Sequence, residues 1–250
     1  MFNATRCPMA ATTLTPNELE SFSPPEGPPA RGGLVREVGS AVEPFRLALR
    51  TPKLLQAPRG AGRVAVLIPG WRAPEAAMAP IGSYLRFLGH RPQPWGLGTN
   101  DGDVEETRDL MIERIARLAE ESGQAVNLVG WSLGGVIARE IARSRPDDVH
   151  HVLTYGSPVL GGPTHTVGAG AIGRKECERI TELQEHLDAT DPIRVPITAV
   201  FTRNDGAVDW RACIDTSSLD VTTVEVSSTH LGLGIDPDVW LVAAQALHEG

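Results

Sequence analysis

Hydrophobic residues fall into two alternating patterns along this chain. Short stretches of strand length occur at Val64 to Ile68, Arg91 to Trp95, Ala125 to Val129, Val149 to Tyr155, Ile197 to Thr202 and Val221 to Val226. The first of these is unbroken in its hydrophobicity, the pattern of a strand covered on both faces. Between the stretches apolar residues recur at helical spacing. Met78, Ile81, Leu85 and Leu88 do so within 75–89. Leu110, Ile112, Ile115, Leu118 and Ala119 do so within 103–121, with charges on the opposite face. Further helices are expected at about 134–144, at about 174–187 as a polar helix, and at 237–247, the last with Pro237 in its first turn and Asp236 as its cap. Strands alternating with helices predict an α/β fold, with a mostly parallel sheet of about six strands and helices on both faces.

The ends of the pattern set the domain limits. Residues 1–33 contain Pro8, Pro16, Pro24, Pro25, Pro28 and Pro29 among several glycines, and are expected to form a disordered, mobile tail. Residues 34–250 read as one domain, in which 159–190 is a Gly-rich and then helical segment. Between Leu34 and Leu55 apolar residues return at helical spacing, interrupted by Pro44 and Pro52. This predicts short helices that pack their apolar side on the domain's flank.

Composition narrows the function classes. A chain of 250 residues can bury a sizeable single core. A net charge of −8 disfavours a nucleic-acid partner, because phosphates need a basic surface. No apolar run approaches the roughly 20 residues that span a bilayer. The N-terminus lacks a basic region followed by an apolar one, which sets the expectation of a cytoplasmic protein. Cys7, Cys177 and Cys213 share no metal-ligand spacing, and Cys177 and Cys213 are expected to be unpaired, packed thiols. Neither a metal nor a cofactor is expected.

The candidate chemistry centres on Gly130-Trp131-Ser132-Leu133-Gly134, which follows an apolar run and precedes a helical pattern. A strand, a sharp turn and a helix in that order lift a serine hydroxyl to the apex, with the next backbone N–H aimed at a developing oxyanion. Gly130 and Gly134 are expected to supply backbone angles that a side chain would oppose. A serine needs a base, and the base needs an orienting carboxylate. His230 follows the last predicted strand within a Gly-containing loop and is the candidate base. Asp205 follows the strand ending at Thr202 and is the candidate acid, with Asp209 as its rival. The oxyanion donors are expected to be the N–H groups of Leu133 and Trp71. Trp71 and Trp131 are expected to flank the serine and bind substrate, with Trp210 near the acid.

Taken together, Leu67-Ile68-Pro69-Gly70-Trp71, the serine motif, Gly156-Ser157-Pro158, Thr202-Arg203-Asn204-Asp205-Gly206 and Ser228-Thr229-His230-Leu231-Gly232 resemble the α/β-hydrolase-fold serine esterases and lipases. The resemblance covers about residues 34–250 and implies a small-molecule ester or lipid substrate. Two departures stand out. Many members carry His-Gly where this chain has Pro69-Gly70, and the family's opening antiparallel hairpin is absent before residue 63. The resemblance also makes 34–250 a catalytic domain and places a short cap at 159–190, which implies a shallow, open pocket. The alternatives are an acyltransferase using the same three residues, or a non-catalytic binding protein on the same scaffold.

Overall fold

The computed structural model describes residues 33–248 without a break, preceded by 11–15, 18–19, 23, 25, 27 and 29. Most of the expected tail, Cys7 and Pro8 included, lies outside the described residues. The strands are β1 (Thr12–Thr13), β2 (Val64–Ile68), β3 (Arg91–Pro94), β4 (Val126–Trp131), β5 (Val149–Tyr155), β6 (Ile197–Phe201) and β7 (Val221–Glu225). They form one seven-stranded sheet in the spatial order β1-β7-β6-β5-β4-β2-β3. Strands β2 to β7 pair in parallel. The strand beyond the six expected is β1, which pairs antiparallel with β7 through Thr12 and Thr13. Those two residues belong to the stretch expected to hold no element.

The helices are α1 (Gly33–Arg36), α2 (Glu43–Leu55), α3 (Ala79–Leu88), α4 (Val104–Ser122), α5 (Leu133–Ser144), α6 (Ala169–Ile172), α7 (Arg174–Thr190) and α8 (Pro237–Leu247). Successive residues of β2 point to opposite faces and feed two cores. Val64, Val66 and Ile68 join Met111 and Ile115 of α4 and Ile137 and Ile141 of α5. Ala65 and Leu67 join Ile81 and Leu85 of α3 and Val239 and Val242 of α8. Burial of each large aliphatic side chain contributes roughly 1.5–3 kcal/mol. Among the described residues, no helix is long and apolar enough to cross a membrane.

Two periodicities resolve differently from expectation. In α4 the buried face is Thr107, Met111, Ile115 and Ala119, while Leu110 is exposed. The four-residue spacing of Met111, Ile115 and Ala119 fixes the packed stripe, and Leu110 lies outside it. In 33–55 the expected packing holds only at Leu54 and Leu47, which join Tyr84 and Leu88 in a small core, and is reversed elsewhere. Val38 and Phe45 are 74% and 69% exposed, and Val35, Val42 and Leu49 also face solvent. Glu37, Glu43 and Arg46 turn inward instead. Arg46 pairs with Glu43, Asp236 and Asp238, and it donates to the Ser227 carbonyl, so the buried charges compensate one another. The stretch is divided at the first proline, where the 3-10 turn Glu37–Val42 gives way to α2, but not at the second. Pro44 occupies the first turn of α2, where a missing N–H costs nothing, and Pro52 sits on its exposed face near the C-terminus.

Candidate active site

Ser132 caps β4 at the head of α5, with φ 53 and ψ −124. A non-glycine residue at positive φ is strained by about 1–3 kcal/mol. The hydrogen bond from Ser132 N to the Tyr155 carbonyl, 2.9 Å, helps to hold it. Neither Gly130 nor Gly134 has a positive φ, so the expected backbone role passes to the serine itself. The glycines are required by close approach. A Cβ on Gly134 would stand 2.2 Å from the Ile68 carbonyl oxygen, and one on Gly130 would stand 2.4 Å from that of Gly134. Both obstacles are backbone and cannot swing aside.

His230 lies in the loop after β7 and Asp205 in the turn after β6. The two meet through His230 Nδ1 and Asp205 Oδ2 at 2.7 Å, with both side chains buried. Asp205 Oδ1 accepts from the N–H groups of Ala207 and Val208 at 2.8 and 2.7 Å, so the carboxylate cannot rotate away. Asp209 is turned elsewhere: it accepts from Arg211 N at the start of the 3-10 turn Trp210–Cys213. Burial pulls the His230 imidazole toward lower pKa. The charge and hydrogen bond of Asp205, joined by the charge of Glu37, outweigh it, so the ring titrates above the ordinary 6.5. The Trp131 ring lies 5.8 Å from the imidazole, tilted by 34°.

Ser132, His230, Leu133, Trp71 and Trp131 all line one cavity of about 500 Å³. The stretch 159–190 supplies a wall of it through Pro163, Val167, Ile172, Ile180 and Leu183. That wall is anchored to the turn that carries Asp205, since Val167 N donates to the Ala207 carbonyl and Asp209 N to the His165 carbonyl. The Trp71 ring is wedged between Gly102 and Gly168, and its Nε1 donates to the Asp101 carbonyl at 3.1 Å. Trp210 stacks on Phe201 at 5.5 Å, outside the cavity lining. Cys177 and Cys213 are unpaired and buried, and burial pushes both thiols up in pKa.

The loop 69–73 passes beside the serine; a Cβ on Gly70 would lie 3.1 Å from Ser132 Cβ. Its support comes from Asn100, a fully buried residue that sequence reasoning missed. Asn100 Nδ2 donates to the Pro69 carbonyl at 2.8 Å, its backbone N–H donates to Ala73, and its carbonyl accepts from Arg72. The chain therefore braces this loop from a second loop, with no histidine at position 69. Only the placement of Asn100 after β3 offered a signal in the sequence.

No family model matches the chain. It is 32% identical over 102 residues to the pimeloyl-[acyl-carrier protein] methyl ester esterase of Aeromonas hydrophila, a match covering 39% of each protein. It is 31% identical over 109 residues to the Aliivibrio salmonicida protein of the same name, covering 43% of this chain and 41% of that one. The chain thus spans about two fifths of the length of these relatives. Its structure resembles a Bacillus licheniformis lipase with a TM-score of 0.57 at 15% identity, over 77% of this chain and 94% of that one. A lipase-esterase related protein from Clostridium acetobutylicum gives 0.55 at 12% identity, over 76% and 97%. With this sheet order, the serine turn at the head of α5 and these structural neighbours, the chain has the α/β-hydrolase fold.

Proposed function

We propose that the chain hydrolyses carboxylic esters through an acyl-enzyme formed on Ser132. The observation that carries this reading is the 2.7 Å contact between His230 Nδ1 and Asp205 Oδ2, made at the wall of the cavity that Ser132 also lines. With Nδ1–H committed to Asp205, Nε2 is the ring nitrogen that takes the serine proton. Ser132 Oγ attacks the ester carbonyl, and the N–H groups of Leu133 and Trp71 receive the developing oxyanion. The imidazolium, steadied by Asp205, protonates the departing alcohol. A water then enters, gives its proton to His230 and releases the acid from Ser132.

The cavity suits an ester with an apolar acyl group, since Val167, Ile172, Ile180 and Leu183 face it and Trp71 and Trp131 stand beside the serine. The matched relatives are named for a methyl ester, which is consistent with a small leaving alcohol. The test is an acyl-length series of nitrophenyl esters with wild type and Ser132→Ala. The proposal expects hydrolysis of short and medium chains by the wild type and none above background by the variant. Equal rates for the two proteins would overturn it. Product transfer to an added alcohol in preference to water would favour the acyltransferase alternative.

A further inference from the structure

Several buried acids lie outside this mechanism, and one of them touches both of its loops. Glu37 opens the 3-10 turn Glu37–Val42 between α1 and α2, and it is 7% exposed. Its Oε1 accepts from Gly206 N at 2.9 Å and from His230 N at 3.1 Å. Its Oε2 accepts from Leu231 N at 2.7 Å. Gly206 directly follows Asp205, and His230 and Leu231 belong to the loop after β7. One carboxylate thus ties the backbone of the acid's turn to the backbone of the base's loop. The surrounding chain is seated just as closely: a Cβ on Gly206 would stand 2.2 Å from the Gly33 carbonyl oxygen, and one on Gly39 would stand 3.2 Å from the Thr229 methyl.

We propose that Glu37 is a positioning residue for the hydrolysis described above, clamping the two loops so that Asp205 and His230 meet in register. The proposal rests on that reading of Ser132, Asp205 and His230. Glu37 does not line the cavity, so it acts through the loops and not on substrate. Three N–H groups converge on it, and hydrogen bonds to a charged acceptor are the stronger kind. Neutralising it leaves one amide oxygen for three donors, with an NH₂ group forced against at least one of them. Its second influence is electrostatic. Two carboxylates, Asp205 and Glu37, raise the His230 pKa against the effect of burial, so losing the Glu37 charge lowers it.

The test is Glu37→Gln, read by kcat, KM and the pH profile of kcat/KM on a short nitrophenyl ester. The expected result is a fall in kcat of roughly 10- to 100-fold, the equivalent of one charge-assisted hydrogen bond, with KM unchanged within about twofold. The acid limb of the profile moves to lower pH. A variant that only melts earlier, with unchanged kcat and an unchanged limb, overturns the proposal. A measurement on the wild type covers the case in which the variant fails to fold. The amides of Gly206, His230 and Leu231 are expected to show strong protection in hydrogen exchange, and exchange at the open-loop rate for any of them refutes the clamp. Ser132→Ala is assayed in parallel. If it retains activity the ester reading fails, while the exchange measurement still judges the clamp.

Discussion

The sharpest consequence of the site's geometry concerns Asp205→Asn. The change replaces one carboxylate oxygen by NH₂ and preserves the shape. The amide has one acceptor, and two claims compete for it. On one side stand the N–H groups of Ala207 and Val208, both bonded to Oδ1. On the other stands the Nδ1–H of His230, bonded to Oδ2. Giving the oxygen to the histidine leaves two buried donors facing NH₂, at about 1–3 kcal/mol each. Giving it to the backbone leaves only a choice of tautomer to the neutral imidazole. The backbone therefore wins, NH₂ faces Nδ1, and the ring proton moves to Nε2. That tautomer cannot accept the serine proton. The expected loss in kcat is about 10⁴-fold, or about 5 kcal/mol of barrier, with the fold retained. The assay is steady-state hydrolysis of a nitrophenyl ester, with urea unfolding as a control. Asp209→Asn is the comparison: asparagine caps as well as aspartate, and kcat stays within about twofold. A folded Asp205→Asn protein with more than about a tenth of wild-type kcat would refute the reasoning.

Further outcomes follow from the same structure. Asn100→Ala strips the amide from the Pro69 carbonyl and from Gly102 N, leaving two groups in or near the core without partners. It is expected to cost about 2–4 kcal/mol in urea unfolding and to lower kcat more than it raises KM; a stability loss under about 1 kcal/mol contradicts this. Arg139 is 1% exposed and pairs with buried Asp215. Its replacement by alanine strands that carboxylate and is expected to cost about 3–5 kcal/mol in the same assay, while the folded protein keeps its KM. The acid limb of kcat/KM is expected above the ordinary imidazole value of 6.5, because His230 must be neutral to act as base and its folded pKa is raised. The same shift gives stability that is present below 6.5 and lost as pH rises through the folded value, and a limb at or below 6.5 contradicts the assignment.

The parts of the fold that were legible in the sequence are those set by short-range pattern. Most of the parallel strands show in their apolar residues, although β3 (Arg-Pro-Gln-Pro) does not, and the serine turn shows in five consecutive residues in a strand-to-helix context. Asp205 and His230 could be placed because each follows a strand, and the sheet brings strand ends together whatever lies between them. The parts that escaped depend on partners far away along the chain. Glu37 bonds to N–H groups 169 and 193 residues later, and backbone donors leave no trace in a side-chain pattern. Arg46 finds Asp236 and Asp238 some 190 residues on. Without sight of those carboxylates, Val35, Val38, Val42, Phe45 and Leu49 look like the buried side, whereas the ionic network holds that place and only Leu54 and Leu47 pack inward. Asn100 was hidden for a similar reason, since it serves the backbone of another loop. The glycines of the serine turn were recognised, but for the wrong reason: the neighbouring backbone leaves no room for a Cβ, and the strained angle belongs to Ser132.

The central claim is that Ser132 is the nucleophile of an ester hydrolase. The most direct measurement is mass-spectrometric mapping of the residue modified by a fluorophosphonate probe on the folded chain of 250 residues. A single stoichiometric adduct on Ser132 is expected, formed in step with loss of esterase activity and absent from Ser132→Ala. An adduct on another residue that tracks the loss of activity, or full esterase activity after complete modification of Ser132, would contradict it.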